Sequence, residues 1–249
     1  CRARNLLFLS TPFDDGSADF LESLDVPAFK IPSGEITNLP FLAHVARKRR
    51  PMIVSTGMAH LHEVEAAVHT IREAGNPDIV LLHCVSNYPA APGDINLRAM
   101  HTMAAAFGLP VGYSDHTEGI EVALAAVALG ACVVEKHFTL DRALPGPDHQ
   151  ASLEPGEMKA MVRSIRIVQE SLGHGRKEPA ASEANTAVVA RRSLVASRDL
   201  PAGTVLTEMD IAIRRPGTGL PPALRPYLVG RKTRVKLAAG SLLSLEMLA

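Results

Sequence analysis

The sequence predicts an α/β fold: a (β/α)8 TIM-type barrel, truncated at its N-terminal side to about six βα units, followed by a small β-rich domain. Three observations carry that reading. Short apolar runs alternate with amphipathic stretches at a spacing of about 20 to 30 residues, as parallel βα units require. Nearly every run ends in polar or reactive residues, which suits a barrel whose strand ends all surround one mouth better than an open doubly wound sheet, where chemistry gathers at the switch point. From Val188 onward the texture changes to short strand-like pieces punctuated by Gly203, Gly217, Gly219, Gly230 and Gly240.

The predicted strands, in order, are Leu6–Ser10, Ala28–Ile31, Pro51–Ser55, Asp78–Cys84, Leu109–Ser114 and Ala131–Phe138. Helical spacing of apolar residues marks His62–Glu73 and Ile120–Leu129, with Gly75 and Gly130 as candidate C-terminal caps, and marks Met158–Leu172 as a further helix. Six strands leave an eight-stranded barrel two short. Because the chain starts at Cys1 and enters an apolar run almost at once, the missing units are expected before Cys1. The expected organisation is a partial barrel over residues 1–172, a Gly-, Pro-, Ala- and Glu-rich linker over 173–187, and the β-rich domain over 188–249.

Composition excludes several classes. The chain is 47% hydrophobic, yet no run approaches the roughly 20 apolar residues of a membrane span, and no signal-peptide pattern opens it, so a cytoplasmic protein is expected. Cys1, Cys84 and Cys132 form no C-x-x-C pair and are expected to be free, buried thiols. Residues 187–249 hold ten Lys+Arg against four Asp+Glu, whereas residues 1–186 hold sixteen against twenty-two, so the two parts carry opposite charge. The absence of Trp and the few Tyr and Phe argue against nucleic-acid stacking.

The histidines of Ser114-Asp115-His116-Thr117 and Glu135-Lys136-His137-Phe138 stand at the ends of neighbouring predicted strands. Two imidazoles with open positions beside them suit Mn²⁺ or Co²⁺ over Mg²⁺, with zinc an alternative. Ordinary polar roles are assigned to His44, His60, His62, His69, His101 and His174. Glu135 shares strand parity with His137 and reads equally as a metal-side carboxylate or as the ion-pair partner of a barrel lysine. Lys30, within an otherwise apolar strand, would charge an anion site, to which Ser10-Thr11-Pro12, Ser33-Gly34 and Ser55-Thr56-Gly57 add hydroxyls and glycine-exposed backbone N–H groups. Ser86 and Tyr88 are expected to face the mouth. Asp148 reads from spacing alone as an exposed turn residue, with a sugar-binding carboxylate as the alternative.

Taken together, Thr11-Pro-Phe-Asp, Phe29-Lys-Ile-Pro-Ser-Gly-Glu, Ser55-Thr-Gly-Met, His83-Cys, Tyr88-Pro, Tyr113-Ser-Asp-His-Thr, Glu135-Lys-His-Phe-Thr and Gly146-Pro-Asp-His resemble the sialic acid synthase (N-acetylneuraminate synthase) family over residues 1–186. Arg192-Ser193, Asp199-Leu-Pro-Ala-Gly203, Arg215-Pro-Gly-Thr-Gly and Leu228-Val-Gly-Arg231 resemble that family's antifreeze-like, or SAF, domain of β-clip type. The resemblance implies condensation of phosphoenolpyruvate with N-acetylmannosamine or a related acylated hexosamine, at a divalent metal, Mn²⁺ first, held by His116 and His137. It implies that Thr11, Lys30, Ser33, Ser55, Ser86 and Ser114 bind phosphoenolpyruvate. Glu35, Tyr88, Asp148 and Arg215 would contact the sugar, with Glu35 also catalytic and Arg215 reaching over from a partner chain in a domain-swapped homodimer. Ser86 stands where some members have Asn.

Legionaminate, pseudaminate and spore-coat polysaccharide synthases are alternatives within the family, and a noncatalytic carbohydrate- or anion-binding protein using the SAF domain is the alternative outside it. The family's first two strands would bring an acidic metal-side residue and a second lysine that this chain lacks, so residues 1–249 alone are expected to be unstable or inactive.

Overall fold

The computed structural model describes residues 1–249, with the side chain of Arg2 alone outside the description. The chain divides into two compact units, Cys1–His174 and Gly175–Ala249.

In the first unit helices and strands alternate. α1 (Asp15–Ser23) starts where the Asp14 carboxylate accepts the Ser17 backbone N–H at 2.8 Å, and β1 (Phe29–Ile31) follows. Then come α2 (Leu39–Ala46), β2 (Met52–Ser55), α3 (Leu61–Glu73), β3 (Ile79–Cys84), α4 (Ala99–Phe107), β4 (Val111–Asp115), α5 (Glu121–Ala128), β5 (Val134–Lys136) and α6 (Pro155–Leu172). Gly75 (φ +89°) and Gly130 (φ +96°) end α3 and α5 in the left-handed conformation, as their positions predict.

The strands form one parallel sheet in chain order, with Phe29 opposite Met52, Met52 opposite Ile79, Leu81 opposite Val111 and Tyr113 opposite Val134. Phe29, Ile31, Leu42, Met52, Ile71, Leu81, Leu82 and Tyr113 are fully buried in and around it. The sheet curls so far that its two edge strands meet across the concave side: Lys30 of β1 lies 3.5 Å from Glu135 of β5. This is a half-barrel, in which every strand C-terminus faces one mouth.

Three sequence expectations are corrected. Leu6–Ser10 is not a strand; Leu6, Leu7, Phe8 and Leu9 are 63%, 80%, 49% and 41% exposed. A parallel strand exists through its ladder, and an apolar run that finds no ladder partner stays irregular. The sheet therefore has five strands rather than six, and among the described residues it does not close. The second correction is that the expected linker is partly helical: α7 (Ala184–Ala190), rich in the strong helix former alanine, crosses from it into the next domain. Thirdly, Cys84 is buried, but Cys1 and Cys132 are exposed, all three being free thiols.

The second unit is a small β structure. β6 (Ser193–Ala196) pairs antiparallel with β7 (Ile211–Arg214), and isolated bridges such as Leu200 to Leu237 and Thr233 to Leu248 extend the pairing. After a single turn of helix, α8 (Arg225–Leu228), the chain returns to complete the core of Leu194, Leu200, Leu206, Ile211, Leu228, Leu237, Leu243 and Leu248. Asp210 is its buried polar node, accepting from the Thr207 N–H at 2.9 Å, the Thr207 hydroxyl at 2.7 Å and Arg198 Nε at 2.9 Å. Among the described residues no helix is long and apolar enough to cross a membrane.

Candidate functional site

Strand alternation decides which side chains meet at the mouth. At the β1 end Lys30 is buried, and its ammonium donates to Ser55 Oγ at 2.8 Å and to the Ile31 carbonyl at 3.0 Å, with Glu135 Oε2 at 3.5 Å. Burial pushes the Lys30 pKa down, against the attraction of Glu135. Glu135 also accepts from Ser114 Oγ at 2.7 Å, so the β1, β2, β4 and β5 ends are joined through one chain of polar contacts. Of the two readings left open for Glu135, the structure forms the ion pair with a barrel lysine.

The β2 and β3 ends meet around Gly57. A Cβ there would lie 2.3 Å from Ser86 Oγ and 2.8 Å from both Cys84 Sγ and Ser33 Oγ, so only glycine admits all three side chains. The expectation that Gly57 offers its N–H to a ligand is corrected: that N–H donates to Ser33 Oγ at 3.0 Å. Gly34 has open space where a Cβ would stand.

The histidines converge. His116 and His137 ring centroids are 5.2 Å apart at an interplanar angle of 79°, and the Tyr88 ring lies 4.2 Å from His116 and 5.4 Å from His137. His116 Nδ1 is 2.7 Å from the Val85 carbonyl oxygen. A carbonyl only accepts, so Nδ1 carries the proton and Nε2 keeps its lone pair. Burial lowers the His116 pKa, against the Val85 hydrogen bond, and the neighbouring His137 ring adds to the lowering. Asp148 Oδ2 stands 3.6 Å from His137 Nδ1, beyond hydrogen-bond reach.

As donors, a tautomer-fixed imidazole and a second imidazole beside it match the nitrogen preference of a borderline divalent ion. They fit as part of a shell: among the described residues no three His, Cys, Asp or Glu side chains form a metal-binding group.

These residues line one open cavity of about 510 Å³. It gathers Thr11, Lys30, Ser33, Ser55, Ser86, Ser114, Tyr88, Asp148, His116 and His137. Glu35 is not among its walls; its carboxylate accepts from Asn38 Nδ2 at 2.7 Å beside the mouth. Arg215 belongs to the second unit, where its Nε donates to the Ala190 carbonyl at 3.1 Å. Phe13 and Met58, which stand within two of the quoted motifs but have no role assigned there, also line the cavity. Their own chemistry gives no further signal, since an exposed apolar side chain in a loop follows no periodicity. A cavity of about 400 Å³ on the helix side of the sheet, between α3 and α4, has a mixed lining that includes Arg98 and His83, and His83 is engaged with the Ile95 carbonyl.

The NeuB family model matches residues 1–177, and the SAF domain model matches residues 191–249. An N,N'-diacetyllegionaminic acid synthase from Legionella pneumophila is 51% identical over 243 residues, covering 96% of this chain and 68% of the relative. The human N-acetylneuraminate-9-phosphate synthase is 41% identical, over 92% of this chain and 64% of its own length. The chain thus spans about two thirds of the length of these curated relatives. Among solved structures, the spore coat polysaccharide biosynthesis protein SpsE of Bacillus subtilis superimposes with a TM-score of 0.67 at 39% identity, covering 100% of this chain and 75% of that one.

Proposed function

We propose that this chain, which belongs to the NeuB family, carries the site of a sialic-acid-synthase-type condensation. In that reaction the methylene carbon of phosphoenolpyruvate bonds to the aldehyde carbon of an open-chain N-acylated hexosamine, N-acetylmannosamine or a relative. Water adds to the central carbon, and C–O cleavage releases phosphate and leaves a nonulosonic acid. The observation that supports it is the convergence of a buried lysine, four serine hydroxyls and two imidazoles on one cavity at the strand ends.

Each group has work that matches its surroundings. Lys30 supplies the cation for phosphoenolpyruvate; an incoming phosphate or carboxylate replaces the Ser55 and Glu135 contacts of its ammonium with charge-assisted ones. Thr11, Ser33, Ser55, Ser86 and Ser114 direct hydroxyls at the same anion and hold it in one orientation against the sugar. Tyr88 and Asp148, on the imidazole side, contact the sugar. Glu35 joins them once its carboxylate turns from Asn38. His116 and His137 hold the divalent metal, Mn²⁺ before Co²⁺ or Mg²⁺, which when bound polarises the aldehyde oxygen and orients water.

Opposite net charges on residues 1–186 and 187–249 support a homodimer in which Arg215 of one chain recognises the N-acyl group at its partner's site. The test is phosphate release from phosphoenolpyruvate by the full-length protein with Mn²⁺ and a panel of N-acylated hexosamines. Release with one member identifies the sugar. Release with none overturns the proposal.

A further inference from the structure

On the reverse face of the same strand pair lies a second polar group that the proposed chemistry does not use. Asp115 and Lys136 are direct cross-strand neighbours of β4 and β5, with 0% and 1% of their side chains exposed. Lys136 Nζ is 3.0 Å from Asp115 Oδ2 and also donates to the Thr117 carbonyl. Asp115 Oδ1 accepts from the Thr117 N–H at 2.9 Å, the Thr117 hydroxyl at 2.7 Å and the Tyr113 hydroxyl at 3.3 Å.

The connectivity matters more than the charge. His116 is the middle residue of an Asx turn, so the Asp115 carboxylate ties the backbone on both sides of it. Lys136, the residue immediately before His137, binds that same carboxylate and the carbonyl that follows His116. One ammonium thus joins the chain on either side of the first imidazole to the chain that carries the second. The imidazoles have few other polar ties: His116 Nδ1 reaches Val85 O at 2.7 Å, while His137, beyond its ring contacts with Tyr88 and His116, has the 3.6 Å approach of Asp148. An apolar pair would bury as well at this position without the desolvation cost of two charges, so the arrangement is explained by the geometry it enforces.

We propose that Lys136 is a positioning residue: with Asp115 and Thr117 it clamps the β4 and β5 ends so that the His116 and His137 rings keep a fixed spacing and His116 a fixed tautomer. The clamp rests on the proposed metal role only for its purpose, and it has a readout that needs no metal.

The experiment records long-range ¹H–¹⁵N spectra of histidine side chains in metal-free full-length protein, followed by a Mn²⁺ titration monitored by electron paramagnetic resonance. Wild type is expected to show His116 as a single tautomer protonated at Nδ1. Asp115→Asn/Lys136→Met, which keeps volume and removes both charges, is expected to give averaged His116 tautomers and at least about tenfold weaker Mn²⁺ binding. Thr117→Val removes one tie, leaves the ion pair, and is expected to give the same change in smaller degree in a folded protein; it decides the matter if the double variant does not fold. Unchanged His116 signals in folded Thr117→Val, or in a folded double variant, overturn the clamp. An ordered wild-type tautomer lost in the variants, in a protein that takes up no Mn²⁺, removes the metal role and upholds the clamp.

Discussion

The two faces of the β4–β5 pair carry similar chemical groups in different circumstances. On the mouth side Glu135 and His137 keep 38% and 29% of their side-chain surface, and Lys30 is matched by a carboxylate 3.5 Å away. On the reverse side Asp115 and Lys136 are sealed, and the carboxylate accepts from three donors besides its ammonium partner. The sealed face has no capacity left for a ligand. The open face has charge and hydroxyls whose present partners a ligand can replace. Polar groups at strand ends therefore divide by whether their partners can be replaced rather than by burial, since Lys30, Ser55, Ser114 and His116 on the mouth side are buried as well.

This contrast can be broken from either side. The largest effect is expected on the open face: His116→Ala lowers kcat/KM for phosphate release at least about 10³-fold, or about 4 kcal/mol. Lys136→Ala should act on stability as well as on the site. It leaves a buried carboxylate uncompensated and costs about 3 kcal/mol of stability or more, read by denaturant unfolding. Lys30→Met removes the cation and is expected to raise KM for phosphoenolpyruvate about tenfold or more, with the smaller change in kcat. Gly57→Ala forces a Cβ among Ser33, Cys84 and Ser86, and is expected to cost about 1–3 kcal/mol and weaken phosphoenolpyruvate binding together.

A smaller, pH-dependent effect belongs to the second unit and serves as the control for the first. The Thr207 hydroxyl and N–H, then Arg198, hold the Asp210 carboxyl below its ordinary value of 3.8. A folded pKa below the unfolded one gives stability that is fully present above the unfolded value and lost as pH falls through the folded one. Unfolding of the wild type is therefore expected to ease below about pH 4. Asp210→Asn should cost about 1 kcal/mol at neutral pH, flatten that acid dependence and leave the His116 tautomer as it is.

Much of the open face is legible in the sequence. His116, His137 and Lys30 each stand at or near the polar end of an apolar run, and a polar residue in that place needs a reason that one strand supplies by itself. The clamp was not legible. Lys136 lies between Glu135 and His137, but strand alternation turns it to the opposite face, and its meaning depends on Asp115 being its partner across the ladder.

The first predicted strand failed for a related reason: Leu6–Ser10 has strand composition, and composition does not state whether a neighbour exists to pair with. Gly34 and Gly57 looked alike in sequence and differ in space, one standing in the open and the other filling a gap that three side chains share. Glu35 follows the same logic, since a side chain in a short 3-10 turn (Ser33–Glu35) finds its nearest partner, Asn38, locally.

Under the proposed function, the mouth of the half-barrel condenses phosphoenolpyruvate with an acylated amino sugar at the His116–His137 pair. The most direct measurement is the rate of phosphate release from phosphoenolpyruvate by the full-length protein, with and without Mn²⁺, against N-acylated hexosamines. Release is expected to require both the metal and one of the sugars and to be abolished by His116→Ala. Release that is absent with every sugar, or that His116→Ala leaves at the wild-type rate, would contradict the proposed function.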